Sequence, residues 1–303
     1  MNMLTFAAFE RAQTFIAAQA RPLEQARFAY YFTHGAAEAV RDALAAFQNE
    51  DGGFGHGLEP DLQTPVSSVL ATTVALQLLT ELATPAGHPL VQGALRYLLH
   101  AYDPEHALWP IRPDNAGDAP CAPWWQYPWD AETLHLNPRA EILGCLYRYS
   151  DLVPAALRQV VGDSLLEDLE TADIPIDMHA LLCLLRLADA PGLPPTLRAV
   201  VEQRLEQAIP QTVVRDPAQW GGYGLKPLQV APAPDARFAA LLAADAARQL
   251  DYELEQQQVD GSWAPAWSWG DAYPEAWAAA RRAWQGILTV NTLKTLRDYG
   301  RVA

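Results

Sequence analysis

Lysine is almost missing from this 303-residue chain: Lys226 and Lys294 stand alone, and the formal net charge is -15 at pH 7. Without a basic stripe there is nothing to displace counterions from a phosphate backbone, so no nucleic-acid partner is expected. Cysteine is scarce too. Cys121, Cys145 and Cys183 are an odd number with no C-x-x-C pair, which excludes a disulfide framework and leaves no recognisable metal motif or cofactor signature. Cys145 and Cys183 sit in apolar helical runs and read as small core residues. No uncharged apolar run reaches membrane-spanning length, and the opening residues MNMLTFAAFERAQ meet Glu10 and Arg11 too soon for a signal sequence. A soluble, cytoplasmic protein is the expectation. Period-two alternation, the mark of a strand, is nearly absent as well.

Apolar residues at helical spacing take its place. They recur over 3–20, 22–33, 36–48, 67–83, 88–101, 138–150, 153–170, 174–189, 194–208, 235–257 and 272–298, which predicts an all-α fold. The helices are of two kinds. Residues 67–79 and 180–188 are apolar nearly all round, as enclosed helices must be, whereas 164–170 and 194–208 carry charge on one side only. Enclosed and half-exposed helices in alternation suggest an inner ring within an outer ring.

A short motif occurs twice, Gln48-Asn49-Glu50-Asp51-Gly52-Gly53-Phe54 and Gln257-Gln258-Val259-Asp260-Gly261-Ser262-Trp263. Each copy follows one helical run and leads to another. Residues 219–224 (QWGGYG) keep the glycine pair and an aromatic, and 103–109 (DPEHALW) is a fainter copy. Starting near 51, 106, 220 and 260, the copies lie roughly 40 to 55 residues apart once one expected copy missing around 165 is allowed for, an interval that fits a helix pair plus loop, with about six pairs needed to close a ring. The motif has a structural job. Glycine supplies positive φ, the aromatic plugs the joint, and the Asp carboxylate accepts backbone N–H groups in the turn. Prolines concentrate in 104–138 and 210–234, and the helical pattern resumes unchanged beyond each stretch, so the expectation is one domain over 1–303.

These residues resemble the terpenoid cyclase and protein prenyltransferase superfamily. GGFGHGLEPDLQTPVSSVLATTVALQLL (52–79) is similar to the prenyltransferase β-subunit pattern of a glycine-rich loop before an inner helix, and DGSWAPAWSWGDAYPEAW (260–277) is similar to the repeat of squalene-hopene-type cyclases. The resemblance implies an (α/α)6 toroid with a central cavity that binds, and can transform, an apolar isoprenoid-type small molecule. The family's D-x-D-D acid cluster is not present, and its zinc ligands have no counterpart at matching positions. The nearest stretch is 173–180, where Asp177 and His179 open an apolar helix as the acid motif does; Asp177 is the acid that the resemblance implies, with His179 beside it.

Three further clusters carry chemistry. His56, Glu59 and Asp61 precede the helix at 67–83, where a positive helix N-terminus would hold the carboxylates as anions, suited to a general base or a cation partner. Trp124, Trp125, Tyr127 and Trp129, with Asp130 and then Arg139, put four large aromatics within six residues; such a group lines a pocket, covers one, or binds a partner. Trp269, Asp271 and Tyr273, with Tyr223 from the weaker copy, complete the candidate ligand-binding set. Aromatic faces stabilise carbocations and also stack on sugars. Two alternatives to the isoprenoid reading therefore stand: a carbohydrate-active toroid using a carboxylate pair such as Asp61 and Asp130, and a non-catalytic binding or scaffold protein that kept the ring and lost the site.

Overall fold

The computed structural model describes residues 2–126 and 136–302, and among the described residues there are twelve α-helices and no strand. In chain order these are α1 (Phe6–Gln19), α2 (Pro22–Phe32), α3 (Ala37–Ala45), α4 (Val69–Glu81), α5 (Pro89–His100), α6 (Leu136–Arg148), α7 (Ala155–Thr171), α8 (Met178–Ala188), α9 (Pro195–Thr212), α10 (Pro227–Val230), α11 (Ala243–Glu255) and α12 (Pro274–Asp298). Their boundaries follow local chemistry. Thr5 caps α1 by accepting the Ala8 N–H at 3.2 Å, and Ser68 caps α4 by accepting the Ala71 N–H at 3.0 Å. Each such cap stabilises its helix by about 1 kcal/mol. Helices α2, α5 and α12 carry proline in the first turn, where the missing N–H costs nothing. No helix among the described residues is long and apolar enough to cross a membrane.

The chain forms two compact units, one of residues 45–212 and one in which 1–44 join 213–303. In the 45–212 unit α4 packs on α6 and α6 on α8, making one layer; α5, α7 and α9 each back the helix that precedes them. The backing pairs are fixed by buried polar ties as well as apolar contact. Arg139 of α6, only 2% exposed, is paired with Asp168 of α7 and donates to the Ser164 hydroxyl at 3.2 Å. Helices α4 and α8 read from sequence as enclosed all round. In the structure Val74, Gln77 and Leu78 of α4 and Leu182 and Leu185 of α8 are half-buried, so each helix keeps a partly solvent-accessible stripe.

In the other unit α12 packs against α2 and α1, α1 against α2, and α10 against α11. Its core gathers Ala12, Phe15 and Ile16 of α1, Phe28 of α2, Leu250 of α11 and Val290 and Leu293 of α12 around Trp263. Each large apolar side chain buried there contributes about 1.5–3 kcal/mol. The two stretches of this unit are also stitched together near their ends. Leu4 donates its N–H to the Arg301 carbonyl at 2.7 Å and bridges Val302, while buried Arg301 donates to the Asn2 carbonyl at 2.7 Å and to Asp251 at 2.8 Å.

Candidate functional site

The two full motifs build the same turn, nearly atom for atom. In the first, Gln48 donates its amide to the Gly52 carbonyl at 2.9 Å and to the Leu90 carbonyl in the first turn of α5 at 3.2 Å. In the second, Gln257 donates to the Gly261 carbonyl at 3.1 Å and to the Ala8 carbonyl in the first turn of α1 at 2.8 Å. Asp51 accepts the Gly53 N–H at 2.9 Å and the Ser67 hydroxyl at 2.7 Å; Asp260 accepts the Ser262 N–H at 3.0 Å and its hydroxyl at 2.7 Å. Phe54 and Trp263, both buried, donate their N–H groups to Thr72 of α4 and Thr289 of α12. The glycines at the centre have φ near +92° and +93°, and a Cβ on either would lie 2.4 Å from the backbone of the facing helix. Only glycine meets both demands. The fainter copies supply the same aromatic plug: Trp109 donates its indole N–H to the Leu98 carbonyl and Trp220 to that of Val214, each at 2.7 Å. The motifs are therefore joints between helices, and their carboxylates are spent on the turn.

The residues between the first joint and α4 are different. Glu59 and Asp61 are 9% and 4% exposed, although they sit in a loop. The loop is covered by the proline-rich segment that follows α5. The Ala122 N–H donates to the Asp61 carbonyl at 2.8 Å, the Gln63 N–H to that of Pro120 at 3.2 Å, and Leu62 packs with Ala116 and Cys121. Half-buried Trp125 and Leu70 rest against that small cluster. The helix end is not what holds the carboxylates, because α4 begins only at Val69 and Ser68 is its cap. His56, at φ +54°, is exposed and hydrogen-bonds Asn49 at 2.8 Å, beside the joint rather than beside the two acids. The backbone at Asp61 to Gln63 thus runs alongside the segment that carries Cys121 and Trp125.

The remaining candidates scatter. Asp177 is exposed and caps α8, accepting the N–H groups of His179 at 2.9 Å and Ala180 at 3.3 Å; His179 is exposed as well. Arg139 is committed to Asp168 and Ser164. Trp124 is 43% exposed. In the other unit Trp269 is buried with its ring 5.6 Å from that of Trp277, and Asp271 is exposed. Tyr273 is 43% exposed with a left-handed backbone, and Tyr223, 58% exposed, meets Trp267 edge to face at 5.7 Å. Tyr127, Trp129 and Asp130 lie outside the described residues.

One cluster escaped the sequence reading. Gln77 of α4 and Arg186 of α8 both donate to the same oxygen of Glu141 on α6, at 3.0 and 2.6 Å. Three adjacent helices of one layer thus converge on a carboxylate that is 5% exposed. Cys145 and Cys183 flank it. Burial first, and the Glu141 charge second, push the Cys145 thiol up to about 12 and raise that of Cys183 in the same direction, so both stay protonated at neutral pH. Burial works most strongly to lower the pKa of Arg186, but the Glu141 charge and hydrogen bond together with the two neighbouring cysteines raise it overall, and the guanidinium remains charged. The i, i+4 spacing of Glu141 and Cys145 is visible in the sequence; their meeting with Gln77 and Arg186 is not. Among the described residues no three His, Cys, Asp or Glu side chains are grouped to hold a metal ion.

No protein-family model, curated protein or solved structure matches the chain.

Proposed function

We propose that the chain is an (α/α)6 toroid, similar in plan to terpenoid cyclases and prenyltransferase β-subunits, that binds and transforms a small apolar molecule of isoprenoid type. The alternation in the 45–212 unit supports the plan, with α4, α6 and α8 side by side and α5, α7 and α9 backing them, and the Q-x-x-D-G joint occurs in both units. The observation that carries the chemistry is the burial of Glu59 and Asp61 in one loop, whose backbone at Asp61 is bonded to the segment bearing Trp125. Carboxyl groups withdrawn from bulk water are suited to moving a proton to or from an apolar substrate. In this reading the acid role passes from Asp177 to Glu59 and Asp61, because a water-exposed carboxylate engaged as a helix cap is a weak proton donor to a hydrocarbon.

Exposed Trp124 favours the second reading, a carbohydrate ligand stacked on its ring. Thermal denaturation of the purified protein with farnesol, farnesyl diphosphate or oligosaccharides separates the two, since a ligand bound by the folded state alone raises the melting temperature. An isoprenoid is expected to raise it, and stabilisation by oligosaccharides alone would overturn the proposal. Asp61→Asn is expected to abolish turnover of whichever isoprenoid binds; unchanged turnover in both this variant and Glu59→Gln would remove the acid pair.

A further inference from the structure

Helix α7 packs on both α6 and α9, and a cavity of about 260 Å3 lies where it meets the last turn of α6 and the first turn of α9. That volume is just below the range of about 300–1,000 Å3 that holds drug-sized ligands, so the space fits a smaller molecule. The α7 wall carries Arg158, Gly162, Asp163 and Leu166, whose three- and four-residue intervals place them on one helix face; Tyr147 of α6 and Leu197 of α9 stand around it. Gly162 is what points to an occupant. Among the described residues four glycines stand inside helices, and an added Cβ would lie 2.5 Å from Gln48 at Gly93, 3.2 Å from Ala20 at Gly286 and 3.3 Å from Leu187 at Gly144, so close packing accounts for glycine at those three. At Gly162 the nearest atoms, Leu197 Cδ2 and the Tyr147 hydroxyl, would be 3.7 Å away, an ordinary contact. Glycine in a helix interior is destabilising relative to alanine. The chain's own packing gives no reason for it here, and it keeps the cavity wall open.

The charges around that wall are held in place without being neutralised. Arg158 is half-buried; its Nη1 donates to the Ser150 and Val153 carbonyls at 2.7 and 2.8 Å, and its guanidinium lies 5.8 Å from the centre of the Tyr147 ring. Its Nε and Nη2 make no hydrogen bond among the described residues, and neither Arg158 nor exposed Asp163 forms an ion pair there. Both charges bear on one hydroxyl: burial raises the Tyr147 phenol above its usual range, while Arg158 acts to lower it and Asp163 to raise it. An arginine tied at one end to backbone carbonyls has little freedom left to lose when its other edge meets a carboxylate.

We propose that this cavity binds a free α-amino acid with an apolar side chain: the Nε/Nη2 edge of Arg158 takes the carboxylate, Asp163 takes the ammonium group, and the side chain lies past Gly162 against Leu166 and Leu197. Arg158 and Asp163 are five residues apart, about 7.5 Å along the helix axis. A carboxylate and an ammonium on one carbon cover that span with a charge-assisted hydrogen bond of about 2.8 Å at each end. A zwitterion also brings one charge of each sign to a wall that offers one of each, whereas a simple anion would leave Asp163 unbalanced beside it. The site goes beyond the isoprenoid reading and does not depend on it, since neither Glu59 nor Asp61 lines this cavity.

The test is isothermal titration of the full chain with L-leucine and L-phenylalanine, and with two truncated forms of leucine: 4-methylpentanoate, which lacks the ammonium group, and isopentylamine, which lacks the carboxylate. At least one amino acid is expected to bind, and leucine about tenfold or more tightly than either truncated form, the difference made by a hydrogen bond to a charged group. Asp163→Asn is the cleanest variant, because that side chain is exposed and without a protein partner. It should leave the melting temperature unchanged, weaken leucine about tenfold and leave 4-methylpentanoate unaffected. Arg158→Gln should remove the advantage of leucine over isopentylamine. Gly162→Ala should melt no lower than the unsubstituted protein, since the added methyl meets only ordinary contacts, and should weaken leucine by narrowing the cavity. Binding of neither amino acid, equal affinity for leucine and 4-methylpentanoate, or leucine affinity unchanged in Asp163→Asn would each overturn the proposal, and Asp163→Asn decides it even if Arg158→Gln fails to fold.

Discussion

Replacing Gly261 with alanine isolates the central physical claim about the repeated joint. Two costs add at this position. The backbone sits at φ +93°, outside the range an L side chain adopts comfortably, for which about 1–2 kcal/mol is typical. The new Cβ would also lie 2.4 Å from the carbonyl carbon and oxygen of Arg11 and 2.7 Å from the nitrogen of Ala12. These are backbone atoms of α1 in the middle of a helix, so no flexible tip can turn aside and α1 must shift bodily. Overpacking of this sort costs about 1–3 kcal/mol more. The sum, about 2–5 kcal/mol, corresponds to a fall in melting temperature of about 10 °C for a domain of this size. Gly270→Ala is the matched control: φ is +61°, but nothing lies within 4 Å of the added atom, so only the first cost applies and a fall of about 3–5 °C is expected. Differential scanning calorimetry reads both and reports whether the two units melt together. If the two variants fall by the same amount, close approach to α1 is not what demands glycine at 261, and the account of the joint fails.

The carboxylates of the joint are expected to matter through two hydrogen bonds each: Asp51→Ala or Asp260→Ala should destabilise by about 1.5–3 kcal/mol in urea titration, while the asparagine variants, which keep the accepting oxygen, should lose clearly less; equal losses would contradict the assigned bonds. Stability should also fall on the alkaline side. Burial raises the Cys145 thiol from 9.0 to about 12, and burial with a smaller push from Asp51 raises Tyr97 from 10.0 to about 12. The unfolded chain therefore releases these protons first, and stability that is full below pH 9 should decline as the pH rises from there towards 12. A urea midpoint that holds or rises between pH 8.5 and 10.5 would refute that assignment.

Helix positions were legible because helical periodicity survives in almost every segment. The run at 67–83 became Val69–Glu81 and that at 272–298 became Pro274–Asp298. Departures have local causes. Helix α8 starts at Met178 rather than 174 because Asp177 caps it just beyond Pro175, and α11 starts at Ala243 because residues 239–242 wind as a tighter 3-10 turn. Helix α10 is four residues long, too short for any period to register. The joint's carboxylate role was also legible, since Asp followed by Gly in a turn leaves few other partners for the carboxylate. The Gln77, Glu141 and Arg186 cluster was not, because its members belong to three separate helices and only the packing of α4, α6 and α8 brings them together. Nor does hydropathy reveal that α4 and α8 keep a half-exposed stripe: an apolar side chain on a helix reads the same whether it faces a neighbour or a cavity.

The unit that joins residues 1–44 to 213–303 makes a demand on synthesis. Helix α1 leaves the ribosome long before α12, the helix it packs against, because the whole of 45–212 and then α10 and α11 must be translated in between. At ordinary elongation rates that wait is roughly ten to forty seconds. Throughout it the apolar face of Ala8, Ala12, Phe15 and Ile16 lacks Val290, Leu293 and Trp263, while the intervening unit has every residue it needs to fold. The order of assembly is thereby imposed by connectivity: the middle of the chain folds first, and its opening helices stay dependent on solvent or a chaperone until the last long helix reaches them.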